Sequence, residues 1–430
     1  MSQVKTNCLL ATVRSVPLAV KQSPRLHRLR KLEVFRQTSL VVWALMLIGS
    51  LALVGCGSES GSGDGDADGP LQVSVSSTDV RAIVEAVGGS DVEVTAFVKG
   101  QDDPHVVEAT RSMIESLSQA DAMIVVGLGL EEAWLPTMIA QAKNDAVNEG
   151  GTGYLDLSVN LRTIVGPEGR GVPGSFHPED NPHYLADPIE GIKAAGAVAE
   201  HLATLRPAHA EAFRERGRVF SKEIAQALFG QALADRFGPD EYETLAIAIE
   251  RDELDAFLAS ASAVDGADAS LPALGGHLGA LAEYRDQPVI GDHDLWPYFA
   301  RRYGVRVLGY MEPEPGVPPT APHLEKLIEQ MREADCRVIL SVQYFDPRHA
   351  AFVTEQTSAV VAPLANQPGG RPGTNSYLAF TDYNASQLLD ALRKAKTEGT
   401  ATRGTAAEPP TTQPGAASDA PVATLLERDR

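Results

Sequence analysis

Two blocks of this chain alternate short apolar runs with helical patterns, and that order leaves few folds open. In the first block, residues 71–76, 92–98, 123–126 and 154–157 read as strands, with helices over 79–87, 109–118 and 132–144. In the second, 288–290, 305–310, 338–342 and 359–362 read as strands, with helices over 295–303, 322–334 and 347–356 and a last helix over 376–396. Strands joined by helical crossovers pair in parallel and need helices on both faces. The expectation is an α/β protein of two lobes, each a mostly parallel sheet flanked by helices.

Between the blocks lies Asn181-Pro182-His183-Tyr184-Leu185-Ala186-Asp187-Pro188. An aspartate followed by proline starts a helix: the carboxylate accepts from free backbone N–H groups, and proline at the first helical position wastes no donor. Ile189, Ile192, Gly196, Ala199 and Leu202 then recur at three- and four-residue steps up to Pro207, which predicts a long helix from Pro188 joining the lobes. A second helical stretch, 208–228, completes a linking region of 183–228. Residues 229–287 read as an irregular, mostly helical insertion broken at Gly238-Pro239, and 158–182 as an exposed loop. The first lobe is bounded at 71–182 and the second at 288–396. The tail, 397–430, is rich in Thr, Ala, Pro and Gly and predicts no packed structure.

The first 55 residues carry eight Lys or Arg against one acidic residue, Glu33, and end in an uncharged apolar run from Leu40 to Gly55. That is the order of a secretory signal. Leu53-Val54-Gly55-Cys56 resembles a bacterial lipobox, which implies lipidation of Cys56 and an extracytoplasmic, membrane-anchored body. Residues 56–70, a Gly/Ser/Asp run, read as a flexible tether. With net charge −20 over the whole chain, the part after this basic segment is strongly acidic, which argues against nucleic acid as a partner and suits cations. Cys8 lies in the signal, so Cys336 is alone in the body and no intrachain disulfide can form there; its place before an apolar strand reads as a buried residue rather than a reactive thiol.

Three histidines fall where chemistry is usually built. His105 closes Gly100-Gln101-Asp102-Asp103-Pro104-His105 after the second strand, His183 precedes the linking helix, and His293 sits in Gly291-Asp292-His293-Asp294 after the first strand of the second lobe. Loops at the carboxyl ends of parallel strands form the binding crevice. Neutral imidazole is a good zinc ligand and an adequate one for manganese, iron or nickel. The arrangement therefore predicts a metal site on His105, His183 and His293, with Asp103, Asp292 and Asp294 as acceptors that orient the rings.

With those histidines, Asp103-Pro104-His105 with Glu108, Leu128-Gly129-Leu130-Glu131 with Trp134, Asn181-Pro182-His183-Tyr184, His293-Asp294 with Tyr298 to Gly304, Glu312-Pro313-Glu314-Pro315 and Ser376-Tyr377 make the body similar to the substrate-binding lipoproteins of zinc and manganese ABC transporters. The resemblance implies two α/β lobes on one rigid helix, a transported Zn(II) with Mn(II) as the other candidate, an ABC permease as partner and a monomeric protein. It implies metal at His105, His183 and His293, and histidine rather than glutamate at 293 points to the zinc branch. It also implies a fourth ligand, an aspartate, where this chain has Ala362. Water, Asp294 or Glu312 are the alternatives. The family's His-rich loop is reduced to Phe176-His177-Pro178. Two other classes stay open on the sequence: a zinc hydrolase with Asp294 or Glu312 as base, and a surface scaffold that has lost its metal. The sequence holds no Gly-x-Ser-x-Gly, phosphate loop or His-Glu-x-x-His, so no catalytic residue is assigned.

Overall fold

A computed structural model describes residues 69–162, 164, 181–265, 272–313 and 317–404. The basic segment, Cys56, nearly all of the tether, Phe176-His177-Pro178 and residues 405–430 lie outside the described residues.

The first lobe runs β1 (Leu71–Val75), α1 (Thr78–Gly88), β2 (Val92–Ala96), α2 (Arg111–Gln119), β3 (Ala122–Val125), α3 (Leu135–Ala142) and β4 (Tyr154–Asp156). Next come α4 (Pro188–Leu205) and α5 (Ala210–Phe229), then four shorter helices, α6 (Gln231–Arg236), α7 (Pro239–Glu250), α8 (Leu254–Asp265) and α9 (Gly276–Leu281). The second lobe follows with β5 (Pro288–Gly291), α10 (Pro297–Tyr303), β6 (Arg306–Tyr310), α11 (Ala321–Glu333), β7 (Val338–Ser341), α12 (Pro347–Thr357), β8 (Val360–Pro363) and α13 (Tyr377–Gly404). Each lobe has a four-stranded, wholly parallel sheet, ordered β2-β1-β3-β4 and β6-β5-β7-β8. Strand order reverses between β1 and β3 and between β5 and β7, so each sheet opens a crevice there at its carboxyl edge. β3 and β7 are buried along their whole length, as central strands covered on both faces must be.

α4 binds the lobes together. Asp187 caps it by accepting from Ile189 N at 2.9 Å, and Pro188 takes the first helical position. Its flank packs on α1 and α5. At Gly217 of α5 a β-carbon would come within 3.1 Å of the Ala199 methyl, so glycine there lets the two helices approach closely. Toward the second lobe, Gly191 makes room for the Tyr377 ring of α13, whose hydroxyl donates to Leu185 O at 2.8 Å. One apolar cluster runs unbroken from Val73 and Ile83 through Ile189 and Phe213 to Trp296 and Leu388.

The fold departs from the sequence reading in two places. His183 starts a single 3-10 turn, His183–Ala186, instead of lying in open loop. α13 continues through 397–404, where composition predicted none, because no proline interrupts it before Pro409 and glycine at 399 only weakens a helix.

Glu190, in the first turn of α4, is buried between Lys193, at 3.0 Å, and Arg301, at 3.5 Å. Burial first, and the neighbouring Asp187 charge second, push its carboxyl up from 4.5 to about 7. A raised carboxyl favours the fold in its protonated form, so this contribution is complete below about pH 4.5 and is lost as pH climbs through 7. Glu190→Gln is expected to flatten the stability slope between those limits by roughly 3 kcal/mol, read from urea melts of metal-stripped protein across pH.

Candidate metal centre

Each histidine is fixed by its own stretch of backbone. His105 lies on the loop after β2, which is rooted by buried Phe97 and Val98 and pinned where Trp134 Nε1 donates to Pro104 O at 3.3 Å. Asp103 Oδ1 accepts from both His105 N, at 3.0 Å, and His105 Nδ1, at 2.9 Å. With Nδ1 carrying the proton, Nε2 of a neutral ring is left with a lone pair for a metal. Burial opposes ionisation of Asp103, but the bonds from His105 outweigh it and hold its carboxyl below the usual range.

His183 is fastened through Asn181, whose side-chain oxygen accepts from His183 N at 2.9 Å while its amide donates across the cleft to Asp294 O at 2.8 Å. The next residue, Tyr184, reaches the end of β3 and donates to Val126 O at 2.6 Å. His293 follows β5. Asp292 accepts from His293 N at 2.8 Å with one oxygen and from Val342 N at 2.5 Å with the other. The His293 Nδ1 partner is the carboxylate of Glu312, just past β6.

The structure brings all three histidines together. Their ring centroids lie 5.0, 5.6 and 5.9 Å apart with the planes steeply inclined, and one ligand nitrogen from each falls within 4.8 Å of the others. A zinc tetrahedron with bonds of about 2.0 Å has nitrogen separations of roughly 3.3 Å, so a modest approach of the rings would seat the ion. Nε2 of His293 is buried and lacks a hydrogen-bond partner among the described residues, which suits a ligand atom. Burial pulls the His293 ring down, but Glu312 overrides it and raises the ring.

Two expectations about the neighbours need correction. Asp292 holds the His293 backbone rather than its ring, because its oxygens are taken by two N–H groups at the strand ends. Glu312, which the sequence offered as a metal ligand or a base, orients His293 instead, while the Asp294 backbone carbonyl holds Asn181. Among the described residues no carboxylate joins the three-histidine group. Ala362 is fully buried in β8 opposite Leu340 and adds no oxygen. Cys336 is buried, its thiol pushed up to about 12 by desolvation, as expected of an inert residue.

Sequence reasoning missed the clasp that closes the cleft over His105. Gln343 Nε2 donates to Gly100 O at 3.1 Å, Asn366 Nδ2 to Asp102 O at 3.1 Å, and Gln367 Nε2 to Lys99 O and Asp102 O at 3.3 Å each. Gln367 Oε1 accepts from Thr78 N at 3.1 Å, and Thr78 Oγ1 donates to Pro368 O at 2.7 Å. Gly100 has no room for a side chain, since a β-carbon would sit 2.3 Å from Pro368 O. The only hint in the sequence was a set of amide side chains just past the ends of β7 and β8.

Comparison with known proteins finds a matching family and a matching fold. The family model described as "Zinc-uptake complex component A periplasmic" matches residues 73–230 and 271–391. The manganese-binding lipoprotein MntA of Bacillus subtilis is 26% identical over 42% of this chain, a match that spans only 55% of that relative's length. The iron ABC transporter substrate-binding lipoprotein MtsA of Streptococcus pyogenes is 21% identical over 84% of this chain and 99% of its own. Among solved structures, ZnuA superposes with a TM-score of 0.53 at 19% identity, covering 75% of this chain and 99% of that one. A Mn-bound periplasmic metal-binding protein from Candidatus Liberibacter asiaticus gives 0.52 at 17% identity, covering 74% and 98%. At these identities the structural likeness bears on the fold alone.

Proposed function

From the premise that this chain belongs to the periplasmic component A family of zinc-uptake complexes, we propose that it captures Zn(II) between its lobes on His105, His183 and His293 and delivers it to an ABC permease. The family comprises metal-binding, solute-binding proteins of ABC transporters and not enzymes, which removes the hydrolase alternative. The observation that carries the reading is the convergence of three imidazoles from three separate segments on one point. A donor set of neutral nitrogens without a carboxylate favours zinc over manganese, which prefers oxygen. Lipidation at Cys56 would keep the protein at the outer face of a membrane, working as a monomer. Release has a structural route: the clasp holds the loop that carries His105, so parting the lobes would withdraw one of three ligands in a single motion.

Titration of the metal-stripped protein tests this. Zinc is expected to bind at one equivalent, to raise the melting temperature and to bind more tightly than manganese. Affinity should weaken as pH falls, with proton competition setting in first at His293, whose ring Glu312 raises above the ordinary 6.5. No heat with either ion would favour a scaffold without metal, and tighter manganese binding would overturn the choice of ion.

A further inference from the structure

Three histidines fill three corners of a tetrahedron, and the fourth falls to another group or to water. In the second lobe the Tyr344 hydroxyl is one of several buried polar atoms, with Gln343 Oε1 and the Tyr303 hydroxyl, that have no hydrogen-bond partner among the described residues. That is uncommon for a buried oxygen. The position of Tyr344 is set by the two residues before it. Val342, two residues earlier, bonds Asp292 beside His293, and Gln343 grips Gly100 on the loop that leads to His105. Tyr344 thus leaves β7 at the strand pair β5 and β7, where the sheet opens its crevice and where β5 delivers His293. The charges that act on its hydroxyl are those of Asp103, Asp292 and Glu312, the same carboxylates that hold His105 and His293.

We propose that Tyr344 caps the three-histidine site, its hydroxyl oxygen accepting a hydrogen bond from the water that completes the coordination of the bound metal. This rests on the reading above that the histidines hold zinc. Water on a dication is a strong donor and needs an acceptor. Asp103 and Glu312 each give one oxygen to a histidine Nδ1, and the buried phenol oxygen has lone pairs to offer to the water. Burial, followed by the three carboxylate charges, holds the phenol protonated well above its ordinary range, so Tyr344 acts as a neutral acceptor and not as a phenolate ligand. A neutral acceptor also leaves the proton on the water, as befits a site that carries its ion without using it for hydrolysis.

The test compares the metal-stripped full chain with its Tyr344→Phe variant. Without metal, the variant is expected to melt at the same temperature or higher, because the lost hydroxyl has no partner. Its zinc affinity, by competition with a chromogenic chelator, should fall about tenfold, and the visible absorption of the Co(II)-loaded protein should change in shape. A wild type that binds neither ion would overturn the transport reading and the cap together. A wild type that binds zinc, with a variant that matches it in affinity and Co(II) spectrum, would overturn the cap alone. A lower melting temperature of the metal-free variant would assign the hydroxyl a structural partner and overturn it as well.

Discussion

Alanine at His105, His183 or His293 is expected to lower zinc affinity at least tenfold in each case. On the proposed reading each substitution removes one of the three histidine ligands, and a tenfold change corresponds to about 1.4 kcal/mol. Removing a group that merely backs a ligand costs roughly 10- to 100-fold in characterised metal sites, so Glu312→Gln and Asp103→Asn give an internal scale. The histidine variants should fall at or beyond that scale, since the backing groups act only through the rings. Chelator competition gives the affinities, and melts of the metal-stripped variants check that the fold survives. His105 is the cleanest position, because its ring is only partly buried and no apolar core depends on it. A variant that binds zinc as tightly as the wild type would remove that histidine from the site.

The two lobes were legible because their strands are short, apolar and bounded by turn residues, and because Asp187-Pro188 marks the start of α4 within the sequence itself. The three histidines were legible because each follows a strand or precedes a helix, which is a local property. Their partners were not. Glu312 and Asp292 are both acidic residues next to strand ends, and only the register of β5 against β6 and β7 decides which of them meets the His293 ring. The clasp depends on contacts between residues more than 240 positions apart, such as Gln343 with Gly100. Nothing in the spacing of Asn366 and Gln367 distinguishes an interlobe grip from a solvated loop. Tyr344 likewise reads as one more aromatic residue near a strand until its hydroxyl is found buried.

Replacing Asp187 is expected to cost more stability than any other single change outside the apolar core. Its carboxylate is completely buried and paired with Arg302 at 2.7 and 3.0 Å through two parallel bonds, with Arg301 at 3.2 Å beside it. Arg302 is itself buried and also meets Glu250 of α7 at 3.0 Å, while Glu250 pairs with Arg162 at 3.1 Å. One network thus fastens the start of α4 to α10, to α7 and to the segment after β4. A well-packed apolar replacement of the whole network is compatible with the same fold, but removal of Asp187 alone leaves the buried Arg302 with Glu250 as its remaining carboxylate, a loss of up to about 3–5 kcal/mol. Asp187→Ala also deletes the cap on α4, a further loss of about 1 kcal/mol, whereas Asp187→Asn keeps an oxygen for Ile189 N and should lose only the charge. The difference between the two variants in urea melts therefore separates cap from ion pair. Burial opposes ionisation of Asp187, but Arg302 and Arg301 outweigh it and hold its carboxyl below 3.8. Its contribution is therefore present above that pH and is lost as pH falls further, so both variants should show a shallower acid limb than the wild type. A loss under about 1 kcal/mol in both would mean that apolar packing alone holds the lobes to α4.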